Sequence, residues 1–244
     1  MKSISPNLNI MIKACEKASK TLIRDFGEIE NLQVSKKGPR DFVTNADKNV
    51  EKILIKELSK KKYSIISEET GIITNESKNN FWIIDPIDGT TNFLHGIPHF
   101  CISVAYMSND EIVSGVIFDP IKNEIFFGEK NSGAYFNNQR IRVSKKNDFD
   151  ECLFGSNVDS LKDIELNIRV SGSAALDIAY VACGRLDGFF QKNLNIWDIA
   201  AGIIILNEAG GKACEIDIKK TKKHTVIASS EIIYQNLNKL LVNF

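Results

Sequence analysis

The order of apolar and polar residues predicts two helices at the start of the chain. In the first, apolar side chains recur at helical spacing until Gly27 ends the run. These apolar residues are Leu8, Met11, Ile12, Cys15, Ala18, Leu22 and Phe26. A second helical pattern covers about residues 45–61, with Val50, Ile53, Leu54 and Leu58 on one face. The basic stretch between them, VSKKGPRDFVTNAD, contains a Gly-Pro pair and predicts a loop.

The middle of the chain changes to strand patterns. Two short apolar runs come first, YSIIS at 63–67 and FWIID at 81–85. Further β-like runs then follow one another with short polar turns between them: CISVAYM, EIVSGVIF, NEIFFGE, GAYFN and RIRV. This spacing predicts an antiparallel meander.

From Cys152 onward, strand-like and helix-like segments alternate, which is typical of α/β structure. The helical patterns are SAALDIAYVA, WDIAAGIIILNEAG and EIIYQNLNKLLVN, and the strand patterns are CLFGS, GFF, KACEI and TVIAS. A charged turn, SKKNDFDE, precedes this part. We therefore expect one compact unit of mixed α+β and α/β character, with an N-terminal α+β half at 1–147 and a C-terminal α/β half at 148–244.

Composition narrows the class of protein. The 244 residues suffice for a substantial core, and 31 basic residues balance 31 acidic ones, so bulk charge does not suggest a nucleic-acid partner. The five cysteines are widely spaced without a C-x-x-C pair, which favours reduced thiols in a cytoplasmic protein. The N-terminal segment lacks the apolar stretch of a signal peptide, and no run of about 18 apolar residues predicts a membrane span.

Acidic residues stand at the edges of the predicted elements. They are Asp47 in DFVTNAD, Glu68-Glu69 in SIISEET, Asp85 and Asp88 in WIIDPIDGTTNF, and Asp198 in NIWDIAAG. Each alone has an ordinary explanation as a helix cap, a first-turn acid or a turn residue. Together they favour a functional site, because three of the four motifs directly follow an apolar run and loops at such edges carry function.

Clustered carboxylates repel one another, and a hard dication relieves this repulsion. Mg²⁺ prefers oxygen ligands, and two such ions about 3.5–4 Å apart can hold the attacking and leaving oxygens of a phosphoryl transfer. Asp85 and Asp88 could supply a bridging and a flanking ligand. Gly89 would let a phosphate approach the backbone, and Gly89-Thr90-Thr91 would offer amide groups at a helix start.

Other catalytic and metal-binding motifs fit less well. Phosphatases of the haloacid dehalogenase type use Asp-x-Asp, whereas Pro86 and Ile87 separate the two acids here. The spacing also fails the alternating acids of an EF-hand loop. The histidines, His95, His99 and His224, form no pattern with a Ser or Cys nucleophile, so triad chemistry has no support.

Taken together, these motifs resemble the inositol monophosphatase family. WIIDPIDGTTNF is similar to its first signature, WDIAAG followed by EAGG is similar to its second, and DFVTNAD and SEET match two further blocks in the same order. The resemblance covers essentially the whole chain, and GSAALDIAYVACGRLDGFF favours the bacterial SuhB-type branch. It implies a layered αβαβα sugar-phosphatase fold, a phosphomonoesterase that requires two or three Mg²⁺ ions per site, inhibition by lithium, and a homodimer.

The resemblance also implies a role for each matching residue. The metal ligands would be Glu68, Asp85, Ile87 through its carbonyl, Asp88 and Asp198. Asp47, Thr90 and Glu68 would be catalytic, with Asp47 and Thr90 positioning and deprotonating the attacking water. Substrate contacts would come from Glu68, Ile87, Asp88, Gly89, Thr90, Thr91, Arg169, Ser173, Ala174, Gln191 and Asp198.

Two departures from the family pattern leave the substrate and the assembly open. Gln191 replaces the usual Glu, which removes a charge and adds amide donors, so fructose 1,6-bisphosphate and 3′-phosphoadenosine 5′-phosphate stand as alternatives to inositol monophosphate. The segment 156–169 is short, which affects the expected dimer surface. The SuhB-type branch also suggests a complex with RNA polymerase and Nus factors, and Lys36-Lys37 suggests a lid for a third metal ion.

Overall fold

The structure is a computed structural model that describes residues 4–29, 34–38, 41–157 and 166–241. Its helices are α1 (Pro6–Gly27), α2 (Asn45–Leu58), α3 (Thr90–Leu94), α4 (Ala174–Ala182), α5 (Ile196–Glu208) and α6 (Glu231–Leu240). The helical spacing of the sequence predicted all of these except the short α3. Ser5, Ser173 and Ser230 cap α1, α4 and α6 by accepting a hydrogen bond from a main-chain N–H.

A hairpin replaces the loop predicted between the first two helices. β1 (Val34–Gly38) and β2 (Asp41–Thr44) pair antiparallel. The β-branched and aromatic residues of this stretch belong to the strands, so the Gly-Pro pair does not mark the whole segment as a loop. The lid predicted from Lys36 and Lys37 depends on side chains outside the described part of the chain.

The larger sheet has eight strands in the order β10-β9-β8-β7-β6-β5-β3-β4. Their bounds are β3 (Tyr63–Ser67), β4 (Gly71–Ile73), β5 (Ser77–Asp88), β6 (Cys101–Ser108), β7 (Glu111–Asp119), β8 (Glu124–Glu129), β9 (Gly133–Phe136) and β10 (Gln139–Arg140). The strands from β6 to β10 form the predicted antiparallel meander. β5 extends it by pairing antiparallel with β6, and β3 joins β5 in parallel. Of the predicted strand RIRV, β10 contains Arg140 alone.

The smaller sheet has five strands in the order β12-β11-β13-β15-β14. They are β11 (Leu153–Ser156), β12 (Asn167–Arg169), β13 (Gly188–Leu194), β14 (Gly211–Ala213) and β15 (His224–Ser230). β11 runs parallel to β12 and β13, whereas β15 pairs antiparallel with β13 and β14. The C-terminal part therefore has the alternating α/β character that its sequence predicted.

The elements stack as five layers in the order helix, sheet, helix, sheet, helix. α1 and α2 pack on one face of the larger sheet, α4 and α5 lie between the two sheets, and α6 covers the smaller sheet. Alternate residues of β6 enter two cores: Ile102, Val104 and Tyr106 pack on the α1/α2 side, and Cys101, Ala105 and Met107 pack on the α4/α5 side. This is the αβαβα arrangement expected from the sequence.

A β-bulge in β5 decides where Asp85 and Asp88 point. Asp85 pairs with Ser103 and Asp88 with Cys101, so three steps along β5 match two along β6. In a regular strand, residues three apart face opposite sides of the sheet. The extra residue in the bulge turns both acids toward α4 and α5. The apolar run in the sequence predicted a strand at 81–85, but the strand continues through Asp88.

The five cysteines are all free, as the sequence predicted, and Cys15, Cys101 and Cys152 are buried. Within the described ranges, no helix has the length and apolar character needed to cross a membrane.

The central helix α5 approaches the larger sheet closely because that sheet presents glycine beneath it. A Cβ built on Gly115 of β7 would lie 2.7 Å from the Cα of Ala201, a distance at which backbone would have to move. The absence of a side chain at this position therefore sets the separation between the second and third layers.

We expect Gly115→Ala to lower the free energy of unfolding by about 1–3 kcal/mol, because overpacking forces the helix away from the sheet. Urea unfolding followed by circular dichroism measures the change. Gly27→Ala is the matched control, since a Cβ there meets nothing within 4 Å. Equal stability of the two variants would contradict this packing account.

Candidate active site

A cavity of about 240 Å³ opens where the ends of β3, β5 and β11 meet the start of α4 and α5. Many of the predicted site residues line it together: Glu68, Asp85, Ile87, Asp88, Gly89, Thr90, Ala174, Gln191 and Asp198. The bulge in β5 and the parallel pair β3–β5 bring Glu68 and the two β5 acids to the same edge. The predicted acidic cluster is thus a feature of the folded chain.

Main-chain N–H groups fix one oxygen of each aspartate. The Ile87 N–H donates to Asp85 Oδ1 at 3.0 Å, the Ala175 N–H to Asp88 Oδ2 at 2.8 Å, and the Asn195 N–H to Asp198 Oδ2 at 2.7 Å. Each bond sets the orientation of a carboxylate whose second oxygen can serve another partner. The three aspartates are therefore held by backbone that belongs to three different elements.

Asp88 is also the link between β5 and the start of α4. The Ser173 hydroxyl donates to Asp88 Oδ2 at 2.5 Å, and the same hydroxyl accepts from the Leu176 N–H as the N-cap of α4. A carboxylate at a helix N-terminus is favoured by the helix dipole and by unpaired N–H groups. Asp88 therefore completes the N-terminal cap of α4 as well as lining the cavity.

Charge repulsion inside the cavity is strong. Burial, together with the nearby charges of Glu68, Asp88 and Asp198, raises the pKa of Asp85 well above its ordinary value. Burial and the charge of Asp88 likewise raise the pKa of Asp198. Burial raises the pKa of Asp88 as well, although its bonds from Ser173 and the start of α4 oppose the shift. Removing this repulsion requires either protons or a cation.

The acidic side chains of this cavity do not form a preorganised coordination shell for an ion. Within the described ranges, no three His, Cys, Asp or Glu side chains are arranged to hold a metal. Glu68 forms a hydrogen bond with Asp85, and two carboxyl groups can share such a bond when one of them carries a proton. The chemistry of the donor set, oxygen ligands with excess negative charge, nevertheless fits a hard dication. A bound cation would relieve the repulsion between these carboxylates.

Thr90 lies between Ile87 and Asp47, two other residues with predicted roles. Its hydroxyl is 2.9 Å from the carbonyl oxygen of Ile87 and 3.5 Å from Asp47 Oδ1. Since a hydroxyl donates one hydrogen, the shorter contact to Ile87 is the better bond. The Asp47 side chain is buried in the first turn of α2, close enough to receive the Thr90 hydrogen after a small rotation.

Gly89 begins the short helix α3 in a left-handed conformation, with φ of 100°. A Cβ at this position would lie 3.1 Å from the carbonyl oxygen of His99. Glycine is therefore required both by the backbone conformation and by the segment packed behind it. From the sequence, Gly89 was expected only to let a phosphate approach the backbone.

Some predicted residues lie outside this cavity. Thr91 is exposed on α3, and Ser173 is buried beneath Asp88, where it bonds to the acid itself. Arg169 is exposed and lines a neighbouring cavity with His99, Tyr180 and Arg185. A substrate contact from Arg169 stays a prediction.

Several lining residues were not named from the sequence: Ser156, Asn157, Val170, Gly172, Leu194 and Asn195. Ser156 ends the parallel strand β11 and Asn157 follows it, whereas Asn195 stands two residues before Trp197 of the WD motif. The rule that ligands bind beyond the carboxyl ends of parallel strands could have found the first two. No pattern in the sequence marks Val170, because its position depends on the loop before α4.

The layered fold and the carboxylate-lined cavity are those of a sugar-phosphatase-type hydrolase. The profile of the inositol monophosphatase family matches residues 4–243, and the chain belongs to that family and is a phosphatase. The inositol-1-monophosphatase of Mesorhizobium japonicum is 42% identical over 95% of this chain and 94% of its own length. The Nus factor SuhB of Xylella fastidiosa is 39% identical over 86% of this chain and 82% of its own.

A solved structure agrees with these sequence relatives. The extragenic suppressor protein suhB from Bartonella henselae is 43% identical, with a TM-score of 0.90 over 96% of this chain and 98% of its own. The layered fold and the family expected from the sequence are therefore confirmed.

The raised pKa values predict an unusual pH dependence for the metal-free protein. A carboxyl whose pKa is raised on folding binds more protons in the folded than in the unfolded state, so stability falls as pH rises. Asp177, whose pKa burial raises to about 7, acts in the same direction. We expect the melting temperature in EDTA to fall between about pH 5 and pH 8.

Asp85→Asn provides the internal comparison, because it removes one repelling charge without changing the size of the side chain. We expect this variant to have a higher melting temperature at about pH 8 and a weaker pH dependence than the wild type. His99, whose pKa burial lowers, contributes equally to both proteins, so it cancels in the comparison. Parallel pH profiles would show that Asp85 does not carry the repulsion.

Proposed function

We propose that this phosphatase is a Mg²⁺-dependent phosphomonoesterase that hydrolyses inositol monophosphate or a similar polyol phosphate to the polyol and phosphate. The observation that carries the proposal is the set of carboxylates around one cavity, three of them aspartates held by main-chain N–H groups. Glu68, Asp85, the Ile87 carbonyl, Asp88 and Asp198 would hold two or three ions. Bound Mg²⁺ would neutralise these charges and polarise the phosphate ester.

The residues of the chain supply orientation and proton transfer. The amides of Gly89, Thr90 and Thr91 would donate to the phosphate oxygens, where negative charge grows during displacement. Thr90 would orient a water molecule, and Asp47 would accept its proton. The water oxygen would form a bond to phosphorus in line with the ester oxygen, whose bond to phosphorus breaks. The leaving alkoxide would then take a proton to become the free polyol.

The outer part of the cavity favours a polyol as the alcohol. Asn157, Gln191 and Asn195 offer uncharged amides that both donate and accept hydrogen bonds, and Val170 and Leu194 offer apolar surface. In such a wall the apolar side chains can contact the C–H face of a sugar ring, and the amides can form hydrogen bonds with its hydroxyl groups. Ser173 and Arg169 would contribute from beside the cavity.

We expect the wild-type protein to release phosphate from inositol 1-phosphate with Mg²⁺ and to lose this activity in EDTA. Removing a residue that merely supports a metal ligand costs 10–100-fold, so Asp85→Asn should lower kcat/KM by more than about 100-fold. Asp217→Asn is the matched control: Asp217 Oδ1 also accepts from the main chain two residues on, but outside the cavity. Equal phosphate release by wild type and Asp85→Asn would refute the proposed role.

Gln191 gives a prediction about substrate choice. A carboxylate at this position would repel a second phosphate, whereas the amide of Gln191 can donate to it. We therefore expect Gln191→Glu to lower kcat/KM for fructose 1,6-bisphosphate about 10-fold while changing that for inositol 1-phosphate less than about threefold. The same panel, extended to 3′-phosphoadenosine 5′-phosphate, decides between the related substrates. A strong wild-type preference for the nucleotide would contradict the polyol assignment.

A second candidate function is association with the transcription apparatus. The similarity to a relative named Nus factor SuhB favours it. We propose that it would act through protein contacts with RNA polymerase or Nus factors, and that the chain forms a homodimer. Lithium inhibition stands as a further expectation of the phosphatase assignment. Affinity capture with the purified tagged protein tests the partner: polymerase enrichment that survives nuclease treatment supports it, and its absence counts against it.

A further inference from the structure

Glu51 is a buried acid of α2 whose carboxylate holds the turn between β3 and β4. Its side chain accepts from the Ser67 hydroxyl at 2.5 Å, from the Thr70 N–H at 3.0 Å and from the Thr70 hydroxyl at 2.5 Å. The residue is 5% exposed. A buried carboxylate is costly unless it is satisfied, and here hydrogen bonds from a single turn satisfy both of its oxygens.

These hydrogen bonds enclose the predicted metal ligand of this turn. Ser67 and Thr70 stand on either side of Glu68-Glu69, and Ser67 pairs with Gly71 where the hairpin closes. The Glu68 N–H is itself bonded to the Ile84 carbonyl of β5, next to Asp85. Glu51 and β5 together therefore determine where the Glu68 side chain can reach.

The same helix carries the predicted proton acceptor. Asp47 lies four residues before Glu51, which places both on one face of α2, and both are buried. Asp47 is near Thr90, and Glu51 bonds to the Glu68 turn. One face of α2 therefore connects the side of the cavity where water would be activated with the side where Glu68 would bind metal.

We propose that Glu51 is a positioning residue that holds the Ser67–Thr70 turn against α2 and thereby sets the metal affinity of the cavity. The inference rests on the proposed metal-dependent function, because it assigns Glu51 an effect on Glu68. It acts through hydrogen bonds, so its negative charge is not the essential property. Glu51 is not among the residues that line the cavity.

The amide of glutamine can reproduce this bonding. Its oxygen can accept from the Ser67 hydroxyl and the Thr70 N–H, and its NH₂ group can donate to the Thr70 hydroxyl, which then acts as acceptor. Glu51→Gln therefore keeps the geometry and removes the charge, whereas Glu51→Ala removes both. A comparison of the two variants separates positioning from electrostatic attraction of the cation.

The chain provides a matched control at Glu208. This acid lies at the end of α5 and also holds a turn, since it accepts from the Asn131 N–H at 2.8 Å and from the Gly133 N–H at 2.7 Å. That turn joins β8 to β9 and does not line the acidic cavity. Glu208→Ala should reduce stability as a loosened turn does and leave metal binding unchanged.

The experiment measures Mn²⁺ binding to the full-length protein, without substrate, from the loss of the free-ion electron paramagnetic resonance signal. We expect Glu51→Ala to raise the dissociation constant about 10-fold or more, and Glu51→Gln to stay within about threefold of wild type. At saturating Mg²⁺, Glu51→Ala should recover most of its kcat. Thermal unfolding of each variant shows that the compared proteins are folded.

The outcomes separate the two proposals. If Glu51→Ala and Glu51→Gln weaken Mn²⁺ binding equally, the charge of Glu51 acts and not its geometry. Wild-type Mn²⁺ affinity in Glu51→Ala would overturn the inference. Weaker Mn²⁺ binding by Glu208→Ala would mean that any loosened turn lowers the metal affinity, and this result would also overturn the inference about Glu51. Mn²⁺ binding without ester hydrolysis would refute the proposed function and leave the Glu51 comparison valid. Failure of the wild type to bind Mn²⁺ would contradict both.

Discussion

Repulsion between carboxylates that converge on one cavity is the constraint that the surrounding structure has to counteract. Asp85, Asp88 and Asp198 come from the larger sheet and from the helix layer behind it, and each is held by a main-chain N–H. Each donor is part of a strand or a helix start, so the backbone fixes its position, and the bond is lost only if the aspartate side chain itself rotates away. The fold therefore keeps like charges close together, and this distinguishes the cavity from an ordinary acidic surface.

The bulge in β5 and the cap of α4 show how the two sheets cooperate. Without the extra residue in β5, Asp85 and Asp88 would face different cores, and one of them would point into the hydrophobic layer beneath α1 and α2. With it, Asp88 reaches Ser173 and the first turn of α4. The irregularity in the strand is thus needed twice, once to gather the acids and once to attach the start of α4.

Much of this could be predicted from the sequence, and the exceptions have physical reasons. Periodic apolar residues indicated the long helices and the meander, and the DPIDGTT and WD motifs indicated the acids that share the cavity. The bulge could not be found, because it depends on the register with Cys101 and Ser103. Glu51 could not be recognised for a similar reason. Nothing distinguishes it from the other charged residues of α2, because its hydrogen-bond partners, Ser67 and Thr70, lie sixteen and nineteen positions away.

Asp88 differs from Asp85 in what its removal would do to the chain. Losing Asp85 would relieve repulsion, whereas losing Asp88 would leave the start of α4 without the acceptor for its Ser173 hydroxyl and Ala175 N–H. A relative that lost hydrolysis and kept a binding role would therefore still need Asp88 for its fold. It could replace Asp85 and gain stability. Under the proposed function, the identity of Asp85 in such relatives would report on catalysis, whereas that of Asp88 would report on the integrity of the fold as well.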